Sequence, residues 1–495
     1  MTPATSNDLL AYTPMLHSRL FAQTAKFRDT HFQPTRSGLT ACPDGDSALS
    51  ESDVYLDGNP SVDRPLVVQF CANAPTDFLD AARYVQPFCD AVDLNLGCPQ
   101  GIARKGRYGA FLQEDWKLIR ELIGTLHKGL DVPVTAKMRI LETKERTLEY
   151  ARMILGAGAS ILTVHGRQRE QKGHNTGLAD WSVLRYLRDN LPPDTVLFAN
   201  GNILRNEDIA TCLRETGADG VMSAEGNLHD PTIFASPPAI GDEGREYWRG
   251  RDGAGGYRID AVFRRYMNII YTYVLETPPP QRAPLFLSSD LDRPSTALES
   301  ERTSSTPDTD GHPPAKKRKR DKQPKPRSPN LLAMQAHLFH LLRPLVSQHT
   351  HVRDALARCR PGDIAAFENV LALTEQAVKE GLLDYQQLPE VYDNPPSRLA
   401  TEAQQAEEET KDASSLAAVA RCRRPWWVCQ PYVRPLPKEA LRNGSLTLSR
   451  KEKERLEREG VEAREVGLES GGRTEVEEGM GLERVEVPRE GLVCG

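Results

Sequence analysis

The stretch Asp93-Leu94-Asn95-Leu96-Gly97-Cys98-Pro99-Gln100 contains an apolar run that breaks at a glycine and is followed at once by a cysteine. Shortly after it, residues 103–112 read ARKGRYGAFL, a glycine-rich loop with three basic side chains. A strand that ends in such a loop is typical of the catalytic edge of a parallel β-sheet. We therefore take Cys98 as the candidate catalytic residue, although a cysteine after a strand is also often a small buried apolar residue.

Apolar runs of strand length recur along the first half of the chain, with amphipathic stretches between them. They cover residues 9–15, 65–70, 91–97, 132–140, 160–166, 195–203 and 219–226. This alternation predicts a parallel sheet with crossover helices, and a TIM-type (β/α) barrel is its natural closure. A closed barrel of this type needs about eight strands, whereas the sequence offers seven runs. We therefore expect a barrel that lacks its first strand.

Length and local charge indicate more than one domain in the 495-residue chain. The net charge of −6 conceals a basic middle and an acidic end, so it does not decide whether the partner is a nucleic acid. The nine cysteines include no C-x-x-C pair, and we predict neither a disulfide framework nor a metal site. No apolar run approaches the roughly 20 residues that span a bilayer. We expect no membrane contact, and a location in the cytoplasm, the nucleus or both.

Composition divides the chain into four parts: residues 1–250, residues 251–275 with 330–395, residues 276–329, and residues 396–495. We expect these to be a catalytic barrel, a helical domain, a disordered basic insert and a charged low-complexity tail, in that order. The insert contains Lys316-Lys317-Arg318-Lys319-Arg320, which allows two interpretations, a nuclear-import signal or a flexible RNA-binding arm. In the tail, Trp426-Trp427 forms an aromatic island to which we assign no role.

Polar side chains stand in or just after the ends of the apolar runs. They are Gln69, Asn95, Cys98, Lys137, Arg139, His165, Arg167, Asn200, Asn202 and Glu225. Because the carboxyl ends of barrel strands meet at one rim, we expect these side chains to line a common mouth. Two of them have a structural alternative: Lys137 could form an internal ion pair with Asp93, and His165 could be a satisfied core histidine.

The segments DLNLGCPQ and ARKGRYGAFL closely resemble the motifs of the tRNA-dihydrouridine synthases, most nearly those of the eukaryotic (16/17) class. The resemblance is strong over residues 9–275 and weak over residues 330–395. It implies a barrel that binds FMN, a reductant that is NADPH or NADH, and a helical domain that binds tRNA. In that family a further strand and helix precede the run at residues 9–15, so this chain looks shortened at its N-terminus.

The resemblance also implies roles for the strand-end residues. Cys98 matches the residue that protonates C5 of uracil once hydride from the reduced flavin has reached C6. A thiol suits this step because its reference pKa of about 8.5 leaves it mostly protonated at neutral pH. The expected cofactor contacts are Gln69, Lys137, His165, Asn200, Gly201, Asn202, Ala224 and Glu225. The expected tRNA contacts are Asn95, Lys105, Arg107, Arg139 and Arg167, extended by the arginines of the helix at residues 258–265.

These assignments predict the flavin-dependent reduction of uridine to 5,6-dihydrouridine in the D-loop of tRNA, at positions 16/17, by a monomeric enzyme. Two alternatives stay open. The barrel could reduce a small pyrimidine instead of tRNA. Alternatively, a barrel without its first strand could bind tRNA without catalysis, because an open sheet edge removes part of the flavin bed.

Overall fold

A computed structural model of the protein describes residues 9–39, 53–173, 176–292, 328–393 and 422–433. Parallel strands form a single large sheet in the first half of the chain. They are β1 (Ala11–Tyr12), β2 (Leu16–His17), β3 (Leu66–Cys71), β4 (Ala91–Leu96), β5 (Val134–Arg139), β6 (Ile161–His165), β7 (Val196–Asn200) and β8 (Gly220–Met222). Strands β3 to β8 pair in chain order, and both β1 and β2 pair with β3. The first two strands therefore share one position in the sheet.

Helices follow the strands and cover the outer face of the sheet. They are α1 (Ser18–Gln23), α2 (Ala25–His31), α3 (Pro75–Val85), α4 (Gly101–Gly106), α5 (Trp116–Gly129), α6 (Lys144–Gly156), α7 (Trp181–Asn190), α8 (Asn206–Thr216) and α9 (Glu225–His229). The predicted alternation of strand and helix is confirmed, and the sheet is a curled half-barrel of the TIM type. Within the described residues no pairing joins β8 to β1, so the sheet is open along that side.

Alternate residues of the buried strands face different surroundings, because successive side chains point to opposite faces of a sheet. Val68 and Phe70 of β3 belong to the large apolar core beneath the helices. Gln69, which lies between them, is equally buried but makes hydrogen bonds to Asp93 and Asn95 of β4. The apolar core thus lies between sheet and helices, while the concave side of the sheet is polar.

A second apolar core forms in the described part of the chain after β8. It is built by the hairpin β9 (Tyr247–Arg249) and β10 (Gly255–Tyr257), and by the helices α10 (Ile259–Ile269), α11 (Pro329–Leu341), α12 (Arg343–Val346), α13 (Thr350–Arg358), α14 (Ile364–Gln387) and α15 (Glu390–Asp393). Phe263 of α10 packs in one cluster with Leu338 and Phe367, which come after the insert. Of the helices that the structure describes, none has the length and hydropathy of a membrane span.

Packed structure extends further than the boundary that we drew at residue 275. Residues 276–292 run along the helices: Leu285 is buried, and the Arg282 guanidinium lies 2.7 Å from the Glu368 carboxylate. Asp290 pairs with Arg245 at 2.7 Å. The expected disordered insert is therefore held in place over its first part, by ion pairs that local periodicity does not reveal. The basic cluster Lys316–Arg320 lies outside the described residues.

The arginine that opens α10 is not available for RNA, contrary to our expectation for this helix. Arg258 is 2% exposed, and its guanidinium forms a buried ion pair with Asp260 at 2.6 Å. It also donates to the carbonyl oxygens of Arg245 and Phe286. A buried arginine needs a carboxylate and further acceptors to offset its lost hydration. Arg258 is a structural residue that fastens α10 to the hairpin.

The aromatic island of the tail completes the helical domain. We call residues 422–433 the docked segment. Trp427 is fully buried, its carbonyl oxygen accepts from the Ile259 N–H at 2.9 Å, and Cys429 N–H donates to the Tyr257 carbonyl at 2.9 Å. This part of the expected low-complexity tail is therefore a core element. The rest of that tail lies outside the described residues.

The docked segment and α11 also meet the barrel at the end of α9. The His229 ring nitrogen Nδ1 lies 2.9 Å from the carbonyl oxygen of His340. The ring of Tyr432 stands 5.8 Å from the His229 ring and carries the Arg343 guanidinium 3.5 Å from its centroid. The helical domain is thereby joined to the helix that follows the last strand of the sheet.

The contact between α14 and the docked segment leaves no room for a side chain at Gly381. A Cβ there would lie 2.6 Å from Trp426 Cζ2 and 2.7 Å from Trp427 Cε3. Alanine normally stabilises a helix interior by about 1 kcal/mol relative to glycine. We expect Gly381→Ala to lower the free energy of unfolding by about 1–3 kcal/mol instead, because the rings must move. Thermal unfolding followed by tryptophan fluorescence measures this, and Gly156→Ala in α6, where a Cβ meets nothing within 4 Å, is the control. A variant at Gly381 as stable as wild type would contradict the packing.

Candidate active site

The carboxyl ends of β3 to β7 bring most of the predicted strand-end side chains together. The register places Asn95 beside Lys137, Arg139 beside His165, and His165 beside Asn200. These six side chains are buried, at 6% exposure or less: Gln69, Asn95, Lys137, Arg139, His165 and Asn200. Neighbouring strands lie about 4.8 Å apart, so the side chains form one continuous polar surface. The predicted convergence at the rim is present in the structure.

A chain of hydrogen bonds crosses the first two long strands of this surface. Asp93 accepts from the Thr135 hydroxyl at 2.6 Å and from Gln69 Nε2 at 2.9 Å. Gln69 Oε1 accepts from Asn95 Nδ2 at 2.8 Å. Asn95 Oδ1 then accepts from the backbone N–H groups of Gly97 at 3.1 Å and Cys98 at 2.9 Å. Asp93 was considered in the sequence only as a partner for Lys137, although it opens the decisive motif.

Asp93 and Lys137 are two opposite charges on the concave face. Burial raises the pKa of Asp93 to about 6, while the hydrogen bonds from Thr135 and Gln69 and the charge of Lys137 act in the opposite direction. The side chain of Lys137 is 4% exposed and lies in register between Asn95 and Thr163. The internal interaction with Asp93 and a contact to a bound ring are therefore compatible uses of this cation.

His165 and Asn200 each present a buried polar atom that has no hydrogen-bond partner in the described part of the chain. Arg167 lies 2.9 Å from His165 Nε2, and since a guanidinium only donates, the ring proton must be on Nδ1, which is unpartnered. Asn200 donates through Nδ2 to the Met222 carbonyl at 2.8 Å, which leaves its Oδ1 unpartnered. Burial, followed by the charges of Lys137, Arg139 and Arg167, lowers the pKa of His165 well below its ordinary value. A neutral donor and an acceptor thus stand side by side.

The loop after β7 approaches these groups closely. Gly201 has φ +107°, and a Cβ there would lie 2.6 Å from the Ala179 Cβ and 3.1 Å from His165 Cδ2. The Asn202 amide accepts from Arg167 Nη2 and from the Ala179 N–H, both at 2.9 Å, and donates to the Ala179 carbonyl at 2.9 Å. The polar atoms of Asn202 are therefore engaged within the protein, and its contact with a cofactor stays a prediction.

The last expected cofactor contacts lie at the start of α9. Ala224 occupies the N-cap position and Glu225 is the first helical residue. A Cβ on Gly226 would lie 2.5 Å from the Ile203 carbonyl oxygen, so α9 packs tightly against the loop that follows β7. These positions are close to the rim, and their contact with a phosphate stays a prediction.

Cys98 lies just beyond β4, outside the main core. It is 1% exposed and packs in a small cluster with Cys71, Ala103 and Tyr108. Gly109, with φ +64°, passes so close that a Cβ there would lie 2.9 Å from the Cys98 Cβ. Burial raises the pKa of the Cys71 thiol in the same cluster to about 12. Ala103 of α4 and Tyr108 in the turn that follows it cover Cys98.

The loop around Cys98 is fastened to the loop that follows β6. Arg139 donates to the Gly97 carbonyl at 2.7 Å and to the Gln168 carbonyl at 3.1 Å. Lys172 Nζ donates to the Pro99 carbonyl at 3.0 Å. Arg139 was predicted to bind tRNA, and its hydrogen bonds to these carbonyls give it a structural role; a contact with tRNA stays a prediction. Lys172, which was not selected from the sequence, is part of the same junction.

A cleft of about 1040 Å³ opens beside this junction. Its lining includes exposed Arg104 and Arg107, together with Arg169, whose guanidinium is paired with Glu114. Lys105 is exposed on α4 next to the cleft. The basic loop predicted from the sequence therefore faces solvent above the buried thiol. No group of three potential metal-binding side chains occurs among the residues that the structure describes.

The low pKa of His165 predicts a pH dependence of stability. Because the unfolded chain binds a proton at this histidine more readily than the folded one, stability falls as the pH drops below about 6.5. We expect His165→Gln to lose less thermal stability than wild type between pH 7 and pH 5, since glutamine does not titrate. Exposed His31, replaced by Gln, is the matched control. Equal pH profiles of melting temperature for wild type and His165→Gln would contradict a neutral His165.

Comparisons with known proteins identify the family. The family model described as Dihydrouridine synthase (Dus) matches residues 2–246. A Schizosaccharomyces pombe protein named tRNA-dihydrouridine(16/17) synthase (NAD(P)(+)) is 40% identical over 86% of this chain and 82% of its own length. A Saccharomyces cerevisiae protein of the same name is 40% identical over 86% of this chain and 78% of its own length. A human protein named tRNA-dihydrouridine(20a/20b) synthase (NAD(P)+)-like is 31% identical over 46% of this chain and 63% of its own length. The chain belongs to the dihydrouridine synthase family of oxidoreductases.

Proposed function

We propose that this enzyme reduces uridine to 5,6-dihydrouridine at positions 16/17 in the D-loop of tRNA, with FMN as cofactor, NADPH or NADH as reductant and Cys98 as proton donor. The observation that carries the proposal is a cysteine placed directly beyond a rim of buried polar side chains. The site 16/17 is favoured because the relatives with that name match 86% of this chain, whereas the 20a/20b relative matches 46%.

The concave face fits the ring of FMN. The ring carries carbonyl and N–H groups along one edge, and the unpartnered His165 Nδ1 and Asn200 Oδ1 offer a donor and an acceptor for such an edge. Buried Lys137 provides a positive charge for a ring that becomes more negative on reduction. When bound, FMN supplies the hydride that reduces C6 of uracil. Holding the ring is the role we assign to these three side chains.

Cys98 would supply the proton at C5 of the base. A general acid must be protonated before the step and close to its acceptor, and an ordinary thiol, with a reference pKa of about 8.5, meets the first condition at neutral pH. The hydrogen bonds that Asn95 accepts from the Gly97 and Cys98 N–H groups hold the backbone that carries this thiol. Ala103 of α4 and Tyr108 cover the cysteine, so the segment that carries these two residues must move to admit a base.

Recognition of tRNA would use the basic cleft above the thiol. A base in folded RNA must be turned out of its stack before it can enter a buried site, and the phosphates on either side must be held. Arg104 and Arg107 are exposed at this cleft, and Lys105 is exposed beside it. Their contacts with phosphate make binding weaken as the salt concentration rises.

Replacing Cys98 tests the proton donor. We expect Cys98→Ala to lower the rate of dihydrouridine formation in tRNA by about 100-fold or more, the usual contribution of a general acid. Mass spectrometry of nucleosides from tRNA incubated with enzyme and NADPH measures the product. Cys89→Ala is the control, because Cys89 is equally buried but lies before β4, at the other end of the strand. A Cys98→Ala enzyme with the wild-type rate would remove Cys98 from the mechanism.

Replacing Lys137 tests the flavin site. We expect the purified protein to show flavin absorbance that NADPH bleaches, and Lys137→Met to make the two-electron reduction potential more negative by about 30 mV or more, which corresponds to a factor of about ten. Loss of the cation removes its stabilisation of the reduced ring. Lys128→Met, at an exposed position on α5, is the control and should leave the potential unchanged.

The purified wild-type protein also distinguishes the proposed function from two alternatives, RNA binding without catalysis and reduction of a small pyrimidine. A colourless protein that still binds tRNA would favour RNA binding without catalysis. Reduction of free uracil at a rate equal to that of tRNA would favour a small pyrimidine as substrate.

A further inference from the structure

The hydrogen-bond chain on the concave face has a direction that its two ends determine. At one end, the backbone N–H groups of Gly97 and Cys98 can only donate, so the oxygen of the Asn95 amide must face them. The nitrogen of that amide then faces Gln69, whose oxygen must accept. The nitrogen of Gln69 is left to face Asp93, which accepts it at 2.9 Å.

The other end of the chain imposes the same direction. An ionised carboxylate can only accept, and Asp93 receives the Thr135 hydroxyl as well as the Gln69 amide. Asp93 is fully buried, with Lys137 as the nearby cation and Tyr12 of β1 within its electrostatic reach. The amides of Asn95 and Gln69 lie between groups that only donate and a group that only accepts. Each amide therefore has one orientation in which all of these hydrogen bonds form.

Removal of the acceptor end would release this arrangement. Without Asp93, the Gln69 amide can rotate and turn its nitrogen toward Asn95, where two donors would then face each other. Asn95 would lose the partner that orients it, and the oxygen that holds the Gly97 and Cys98 N–H groups would no longer be kept in place. An effect at Asp93 is thereby carried across β3 to a loop that Asp93 does not touch through its own hydrogen bonds.

We propose that Asp93 is a positioning residue. Through Gln69 and Asn95 it holds the backbone of Gly97 and Cys98, which we call the Cys98 loop. The proposal rests on the proposed role of Cys98 for its effect on catalysis. Its structural part, the fixed position of the Gly97 and Cys98 backbone and with it the burial of the thiol, concerns the protein whether or not the reaction is the one proposed. Gln69, which we also expect at the flavin ring, is the link through which the ring and the thiol loop share one hydrogen-bond chain.

Alkylation of individual cysteines by iodoacetamide tests the structural part. Peptide mass spectrometry of the full-length, flavin-containing protein gives a rate for each cysteine. Cys98 is 1% exposed, so we expect slow modification in wild type and a rate about tenfold higher in Asp93→Ala, the effect of losing one buried hydrogen bond. Cys212 and Cys359, which are buried elsewhere, should keep their rates and report that the variant is folded.

Two further variants distinguish positioning from general destabilisation. In Asp93→Asn, Cys98 should be alkylated at a rate near that of wild type. The asparagine oxygen can accept from Gln69 while its nitrogen donates to the Thr135 oxygen. Asp90→Ala is the matched control at the other end of the same strand, where the Asp90 carboxylate accepts from Arg64 at 2.7 Å and from the Leu66 N–H at 2.6 Å. It should lower the melting temperature without changing the Cys98 rate.

The link through Gln69 provides an independent outcome. Gln69→Leu breaks the chain one step later and should raise the Cys98 rate by itself; adding Asp93→Ala should raise it no further. If Asp93→Ala unfolds enough to expose every cysteine, Gln69→Leu alone still tests whether the hydrogen-bond chain keeps Cys98 buried. An unchanged Cys98 rate in Gln69→Leu, or rates that multiply in the double variant, would overturn the proposal.

Kinetics with tRNA separate this proposal from the function on which it rests. If the wild type forms dihydrouridine, Asp93→Ala should lower kcat by about tenfold with little change in the KM for tRNA, because the cleft is untouched, and Asp93→Asn should restore most of kcat. A wild type without product would contradict the proposed function, while the alkylation rates would still test the role of Asp93. A product-forming wild type with an equally active Asp93→Ala variant would contradict the role of Asp93 alone.

Discussion

Polar and charged side chains that are buried inside a curled parallel sheet must satisfy one another, and this requirement organises the molecule. Asp93, Lys137 and Arg139 lie on adjacent strands at 4% exposure or less. Each would be costly to bury alone, because an interior charge without partners loses its hydration. The intervening residues of the same strands pack beneath the helices. One face of the sheet is therefore polar and the other contributes to the apolar core. The candidate site is the part of this surface at which donors and acceptors are left over.

The sequence predicts the strands and the rim well, for a physical reason. A polar residue inside an apolar run or at its end is conspicuous in the sequence. Lys137, which interrupts such a run, and His165, which ends one, were selected in this way. The sequence does not reveal which hydrogen-bond partner each polar side chain takes, because the partners are far apart along the chain. Arg139 was predicted to contact tRNA, which stays a prediction, and the structure adds its hydrogen bonds to the carbonyls of Gly97 and Gln168. Asp93 stood in the quoted motif, but only the structure reveals the amide chain that begins there.

The helical domain was harder to predict because its core is assembled from remote segments. Arg258 reads as an exposed cation on a helix, and only its ion pair with Asp260 and its acceptors at residues 245 and 286 make it structural. Trp426-Trp427 stands within a charged stretch whose composition indicates a tail. Its burial depends on Gly381, a small residue that leaves space for two indole rings. Neither composition nor periodicity contains that information.

The order of these segments has a consequence for biosynthesis. Each strand of the sheet from β3 onward pairs with its neighbour in the chain, so the barrel can assemble progressively as it leaves the ribosome. Helix α10 instead receives the carbonyl of Trp427 on the N–H of Ile259, from a segment translated much later. During that interval the part of the helical core that Trp427 fills stays incomplete on the nascent chain. The helical half therefore completes its core only after almost the whole distance from residue 259 to residue 427 has been translated.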